Sequence, residues 1–277
     1  MLSVNTNTGA MVALQYLNKT QGDLNATQTA ISTGLKVASA KDDGATYAIA
    51  QNMRSSVAGY AAVTDSLNRG MSAIDVAMSA GQSISDLLVQ MKQKALAAAD
   101  TSLDTASRKA MNQDFVALRD QITTIVKNAV FNGFNLVDGS ASNVQSLASS
   151  DGTRKITVAA QDMSLSGSIV TVHASGATGC ISTQALASTM VATIQTSLTN
   201  VNKALAQLSA GSKKFSIQLD FAQKLSDTLT TGIGNLVDAD MAQESALLTS
   251  LQTKQQLGVQ ALAIANQAPQ IILSLFR

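Results

Sequence analysis

The chain has 277 residues, enough for one or two domains, but its 45% apolar content includes only 3% aromatics, no Trp and a single Pro. That argues against the thick, aromatic-filled core of an ordinary globular enzyme and favours closely packed helices built on small and unbranched residues. A net charge of +1 gives no electrostatic case for nucleic acid or an anionic membrane, and 13% charged residues leaves a surface either suited to self-association or solvated by Ser and Thr.

From Leu14 the residues Leu14, Leu17, Gln21, Leu24, Gln28 and Ile31 recur at spacings of three and four, which is the coiled-coil repeat with two glutamines in it. Gly34 supplies a helix stop. After Lys41-Asp42-Asp43-Gly44, where Asp43 can cap a helix, a longer seam runs through Met53, Ser56, Tyr60, Val63, Leu67, Gly70, Ile74, Ala77, Gly81, Ile84, Leu88, Met91, Ala95 and Ala98. It predicts one rod-like helix far longer than the ~11–12 residues of a typical globular one. Gly70 and Gly81 within that seam let another backbone come close.

A third helix is predicted after Asp104, with Met111, Phe115, Leu118, Ile122 and Ile125 on one face, ending near Asn132-Gly133. A fourth begins near Thr183 with Met190, Ile194, Leu198, Val201, Leu205 and Leu208, continues through Phe215, Leu219 and Ala222, and breaks at Gly232-Ile233-Gly234. The last follows Asp238 and carries Leu248, Leu251, Gln255, Gly258, Leu262 and Ala265, with Pro269 expected to bend or interrupt it. Between Gly139 and Gly179 two β-type runs, Lys155–Val158 and Ile169–Val172, read as a small hairpin at the tip of a helical rod.

The expected fold class is therefore mainly α: a long antiparallel helical rod or coiled coil formed by the N- and C-terminal segments, with a small β-hairpin region in the middle. Three parts follow: residues 1–40 with 238–277 as a terminal coiled coil, 41–138 with 181–237 as a long-helix domain, and 139–180 as a surface-exposed β segment. First and last helices are positioned to pair. Gln21, Gln28 and Gln255 then either form a shared polar layer or face solvent.

Catalytic chemistry finds little support. One histidine, His173, excludes a multi-His metal site, and no Gly-Lys-Ser or Gly-Lys-Thr phosphate loop occurs. The lone thiol, Cys180, allows no intrachain disulfide. Asp42-Asp43 and Asp238/Asp240 read as helix starts. No cofactor and no enzymatic activity are expected. The first residues lack a basic start and an apolar run, so no cleavable signal is expected. No window approaches the ~18 apolar residues of a membrane span; Gly258–Phe276 comes nearest and is interrupted by Gln260, Asn266, Gln267 and Gln270.

Several segments resemble bacterial flagellins: Val4-Asn5-Thr6-Asn7, Leu17-Asn18-Lys19-Thr20, the run ISTGLKVASAKDDGA from Ile31 to Ala45, Phe131-Asn132-Gly133, Ala265-Asn266-Gln267-Ala268-Pro269-Gln270 and Leu273-Ser274-Leu275-Phe276-Arg277. The stretch LQTKQQLGVQALAIANQ is similar to alphaproteobacterial members. The resemblance implies a filament subunit for swimming motility, extracellular and without a cleaved leader. It implies assembly through its terminal helices into a homopolymer, and a flagellar export chaperone, type III export apparatus, filament cap and hook-junction proteins as further partners. The seam residues with Leu273 are the expected assembly residues. Where many flagellins carry the Val-Arg-Glu-Leu-Ala stretch read by the Toll-like flagellin receptor, this chain has Met91-Lys92-Gln93-Lys94-Ala95, so weak recognition is expected. A hook–filament junction protein, a membrane-engaging translocator and a glycan-binding homologue are the alternatives. The translocator lacks an apolar segment, and the glycan binder lacks aromatics between Gly139 and Thr183. Hydroxyls from Ser140 to Thr183 are either solvated or glycosylated.

Overall fold

Helix starts in this chain are set by short polar side chains. In the computed structural model, which describes residues 6–140 and 143–274, Asn7 Oδ1 accepts from Ala10 N at 3.0 Å to open α1, Thr8–Thr33. Val4 and Asn5 of the first motif and Leu275–Arg277 lie outside the described residues, and Leu273 is described for its backbone alone. Gly34 closes α1 in the left-handed conformation at φ 73°, its N–H donating to Ala30 O. Asp43 Oδ1 accepts from Ala45 N and Thr46 N to open α2, Gly44–Ala98, and hydrogen bonds from Thr46 hold its carboxyl below the usual range. Asp104 opens α3, Thr105–Asn128, with its carboxyl lowered in the same way by the Ser107 N–H and hydroxyl. Both caps contribute fully above the ordinary aspartate range and lose their contribution as pH falls through the lowered values. Thr183 Oγ1 accepts from Leu186 N at the start of α4, Gln184–Val237, and Asp240 Oδ1 accepts from Ala242 N ahead of α5, Met241–Ser274.

Two elements run further than their sequences suggest. α4 passes through Gly232 and Gly234 to Val237, and α5 passes through Pro269 to Ser274. Four short strands, β1 Val130–Phe131 with β2 Phe134–Asn135 and β3 Val144–Leu147 with β4 Lys155–Val158, pair antiparallel, and a 3-10 turn at Ala177–Gly179 precedes α4.

The chain divides into two compact units, residues 1–55 with 228–277, and residues 56–227. The second has the larger core. There α2 and α4 run antiparallel, since Gly70 lies against Phe215, Gly81 against Leu205, and Lys92 Nζ donates to Gln195 Oε1 at 2.5 Å. Val63, Leu67, Ile74, Ala77, Ile84, Leu88, Met91, Ala95 and Ala98 are all buried on α2, as its spacing predicts. Phe115 and Ile122 from α3 and Met190, Ile194, Val201, Leu208, Phe215 and Ala222 from α4 join the same cluster. Arg108 terminates α2, donating to Ala98 O, Asp100 O and Leu103 O.

The middle segment differs from its sequence reading. Lys155–Val158 pairs with Val144–Leu147 and not with 169–172. The buried Val170 and Val172 sit on α4, where Thr171 N donates to Ser197 Oγ at 3.0 Å. Nor is the segment a free tip: Val144 and Val158 belong to the main cluster, and Ser146 Oγ donates to Ser66 O. Phe131-Asn132-Gly133, expected to end a helix, instead forms the β1–β2 hairpin, with Asn132 and Gly133 at φ 48° and 79° as a type I′ turn requires.

Glycines on the long helices make room for the β3–β4 hairpin. A Cβ at Gly211 would stand 2.5 Å from Val158 Cγ1 and 2.8 Å from Cγ2, and one at Gly59 would meet Ser150 O at 2.5 Å. Gly211→Ala is therefore expected to destabilise residues 56–227 by about 1–3 kcal/mol of overpacking, against the ~1 kcal/mol that Ala normally adds to a helix. Thermal unfolding followed by far-UV circular dichroism checks this: a raised Tm would show that Val158 yields its place at no cost.

Candidate assembly interface

The first unit is built from α1, α5 and the short stretches that follow α1 and precede α5. α1 and α5 pair antiparallel: Asn7 meets Ala265, Leu17 meets Gly258, Gln21 meets Gln255, and Leu35 bridges to Asp238. At the closed end the backbone is stapled, with Lys36 N donating to Val237 O at 2.8 Å and Ala239 N to Gly34 O at 2.9 Å. Val37, Ala50 and Val237 form a small buried cluster there, flanked by Leu35, Tyr47, Ile233 and Leu236. Asp42 Oδ2 accepts from Ala38 N and Ser39 N, which fixes the Ser-Ala-Lys-Asp-Asp turn.

Along the helices themselves burial is thin. Leu24, Thr27 and Ala30 are the buried residues of α1, and Leu251 joins them from α5. Leu17 and Ile31 are half-buried on α1, as are Leu248, Gln255, Gly258, Leu262 and Ala265 on α5. The α5 seam is thus the one that the spacing predicts. The α1 seam departs from it: Leu17, Leu24 and Ile31 face α5, but the intervening inward positions are Thr20 and Thr27, one residue before the predicted Gln21 and Gln28. Leu14 is 47% exposed. Of the three glutamines two meet, Gln255 Nε2 donating to Gln21 Oε1 at 2.6 Å on the exposed edge, and Gln28 is exposed. A buried amide layer does not form.

What the pair leaves uncovered is large and apolar. Met11, Val12, Leu14 and Tyr16 on α1 and Leu247, Leu257, Val259 and Ile264 on α5 are exposed, Tyr16 and Ile264 each to 69%. Single exposed apolar residues are ordinary, but this many on two neighbouring helices is the pattern of an interaction surface. The charged groups described on the two helices are few: Lys19 and Asp23 on α1, Glu244 and Lys254 on α5. Pairing with a like surface therefore meets little charge repulsion.

The predicted receptor stretch lies in the second unit. Met91 is fully buried, Lys92 is held by Gln195, and Lys94 Nζ pairs with Asp114 Oδ2 at 2.6 Å. Gln93 faces outward. Among the described residues there is no grouping of three or more His, Cys, Asp or Glu side chains that could hold a metal ion, and no helix is long and apolar enough to cross a membrane.

Residues 4–142 match the model of the bacterial flagellin N-terminal helical region, and residues 191–276 match that of the bacterial flagellin C-terminal helical region. The chain is 53% identical over 275 residues to flagellin FljK of Caulobacter vibrioides, covering 99% of this chain and 98% of that one. It is 35% identical over 283 residues to a flagellin of Brucella melitensis, covering all of both. Among solved structures, a Bacillus cereus flagellin is similar at a TM-score of 0.47 and 21% identity, over 62% of this chain and 93% of that one.

If Leu24 and Leu251 hold the helix pair together, Leu24→Ala or Leu251→Ala should cost about 2–5 kcal/mol of pairing, while Gln28→Ala should stay within about 0.5 kcal/mol. Hydrogen-exchange protection across residues 20–31 of the full chain reads both. Equal losses for Leu24→Ala and Gln28→Ala would restore the glutamine seam.

Proposed function

The chain belongs to the bacterial flagellin family, and we propose that it polymerises through the paired α1 and α5 helices, whose exposed apolar faces are covered by neighbouring copies. It is a structural subunit of the flagellar filament, an extracellular assembly, and not an enzyme. The observation that carries the proposal is the mismatch between the two units. Residues 56–227 own a deep core, whereas α1 and α5 bury a handful of side chains and expose Met11, Val12, Leu14, Tyr16, Leu257, Val259 and Ile264. Surface of that kind at ~25 cal/mol per Å² is a driving force waiting for a partner, and a homopolymer supplies the same partner at every step.

In this reading Leu17, Leu24, Ile31, Leu248, Leu251, Gln255 and Leu262 hold α1 to α5, and Leu273 is carried as an assembly residue on the flagellin resemblance alone. Leu14, outside that contact, and Gln21 and Gln28 at its exposed edge, face neighbouring subunits. The terminal pair, residues 1–40 with 238–277, is the inner layer of the filament. The long helices of 41–138 and 181–237 form the next layer, and 139–180 is exposed outside it. Family membership further supports export by the flagellar type III route without a cleaved leader, with a dedicated chaperone before assembly and cap and hook-junction proteins during it. No observation favours a junction protein over a filament subunit.

Two measurements test this. Negative-stain electron microscopy of the full chain seeded with short filament fragments should show filaments, and residues 56–227 alone should give none; filaments from the shortened chain would move the assembly contact out of α1 and α5. A Toll-like flagellin receptor reporter line should respond at least tenfold less to this protein than to a flagellin carrying Val-Arg-Glu-Leu-Ala, since Lys92 lacks the planar fork of Arg and Gln93 lacks a charge. An equal response would place recognition outside residues 91–95.

A further inference from the structure

Asn7 and Pro269 lie at opposite ends of the chain, and the structure couples them through one carbonyl. In an α-helix the N–H of each residue donates to the carbonyl four positions earlier. Pro269 has no N–H, so within α5 it leaves Ala265 O without its helical donor. Asn7 Nδ2 donates to that oxygen at 2.7 Å in a part-buried setting. The other half of the same amide is committed as well: Asn7 Oδ1 accepts from Ala10 N at 3.0 Å as the N-cap of α1, which fixes which way round the amide sits. The approach is possible because the neighbours are small. A Cβ placed on Gly9 would lie 4.0 Å from Ala265 Cβ, so the first turn of α1 runs close to α5 at this point.

We propose that Asn7 is a positioning residue that holds the axial register of the terminal helix pair at its open end by donating to the α5 carbonyl that Pro269 frees. Pro269 is the only proline of the chain, so ahead of its last turn, where every helix leaves carbonyls without donors, α5 has this vacancy once. The bonds from Lys36 N and Ala239 N fix the pair at its closed end and Gln255 meets Gln21 further along, but toward the open end Leu17 against Gly258 is a non-directional contact that a shifted pairing could replace. A single polar contact at a unique position penalises every other register, as a lone buried amide does in coiled coils. Asn suits this task better than the other good caps. Asp and Ser open a helix about as well, but Asp has no donor and Ser is too short to cap and reach across at once. The same geometry explains how α5 continues through Pro269: the carbonyl that would otherwise lack a donor is satisfied from α1.

The proposal rests on the filament reading, because register matters most when many copies must stack alike. Four full-length chains test it: wild type, Asn7→Ser, Pro269→Ala and the double variant. Each is grown from seeds, and the monomer left at equilibrium is measured by sedimentation. Hydrogen exchange of residues 8–17 is followed in each chain in parallel. As a cap alone, Ser should match Asn within about twofold. As a clamp, Asn7→Ser should raise residual monomer about tenfold in the wild-type background, the size of one part-buried hydrogen bond. It should then change residual monomer by no more than twofold beside Pro269→Ala, where the alanine N–H takes over the carbonyl. Equal losses in both backgrounds, or no loss in either, would overturn the clamp. A wild-type chain that grows no filaments would instead remove the filament reading, and the clamp would stand or fall on whether exchange of residues 8–17 shows the same dependence on Pro269.

Discussion

The antiparallel contact between α1 and α5 is the constraint on which the rest depends. Two helices can hide only one stripe each, and here the stripe is made of Leu17, Leu24, Thr27, Ala30 and Leu251, with threonine and small residues where a self-sufficient pair would carry leucine. Long amphipathic helices with so little mutual burial cannot offset the conformational entropy of ordering them unaided. The apolar residues facing away from the partner helix, among them Met11, Leu14, Tyr16, Leu257 and Ile264, are the surface on which further burial is available.

The second unit follows the opposite rule. Its helices carry apolar residues at nearly every inward position of α2, and its connections are tied by specific hydrogen bonds: Arg119 Nη1 to Gly179 O, Asn112 Oδ1 from Ile181 N, and Asn135 bridging Val126 O and Val137 N. Glycine serves here as a packing residue. At Gly59, Gly70, Gly81 and Gly211 residues from other segments of the same chain, Ser150, Phe215, Leu205 and Val158, occupy the space a Cβ would take. Aromatics are 3% of the chain, and among the described residues Phe115 and Phe215 are fully buried, the Phe215 ring taking the space that a side chain at position 70 would need.

How far the sequence reveals this structure depends on how decisive its alternation of apolar and polar residues is. On α2 nearly every three-four step lands on an apolar residue or a glycine, and the predicted seam is the buried one. On α1 both choices at the intervening positions are polar, Thr20 or Gln21 and Thr27 or Gln28, so periodicity alone cannot separate them. Threonine lies inward because its methyl packs while glutamine keeps its amide in water. Strand β3, Val-Gln-Ser-Leu, is too poor in β-branched residues to announce itself, and Ile169–Val172 looks like a strand only because it is buried against α4. Gly232 and Gly234 lie inside α4 despite their propensity cost: a Cβ at Gly234 would stand 2.7 Å from Oδ2 of Asp238, whose N–H donates to Gly234 O and carries the helix ladder past both glycines.

The match to the two flagellin helical regions covers residues 4–142 and 191–276 and leaves most of the β3–β4 segment and the start of α4 outside. That division has a physical reading. In the terminal helices the buried stripe is short, Leu24, Thr27 and Ala30 with Leu251, and apolar side chains beyond it such as Tyr16 and Ile264 are exposed. Between 143 and 190 the demand is simpler: Val144, Val158, Met163, Val170, Val172 and Ile181 need only cover the exposed sides of α2, α3 and α4. All six belong to the main hydrophobic cluster of residues 56–227, whereas the cluster beside the terminal helices is only Val37, Ala50 and Val237.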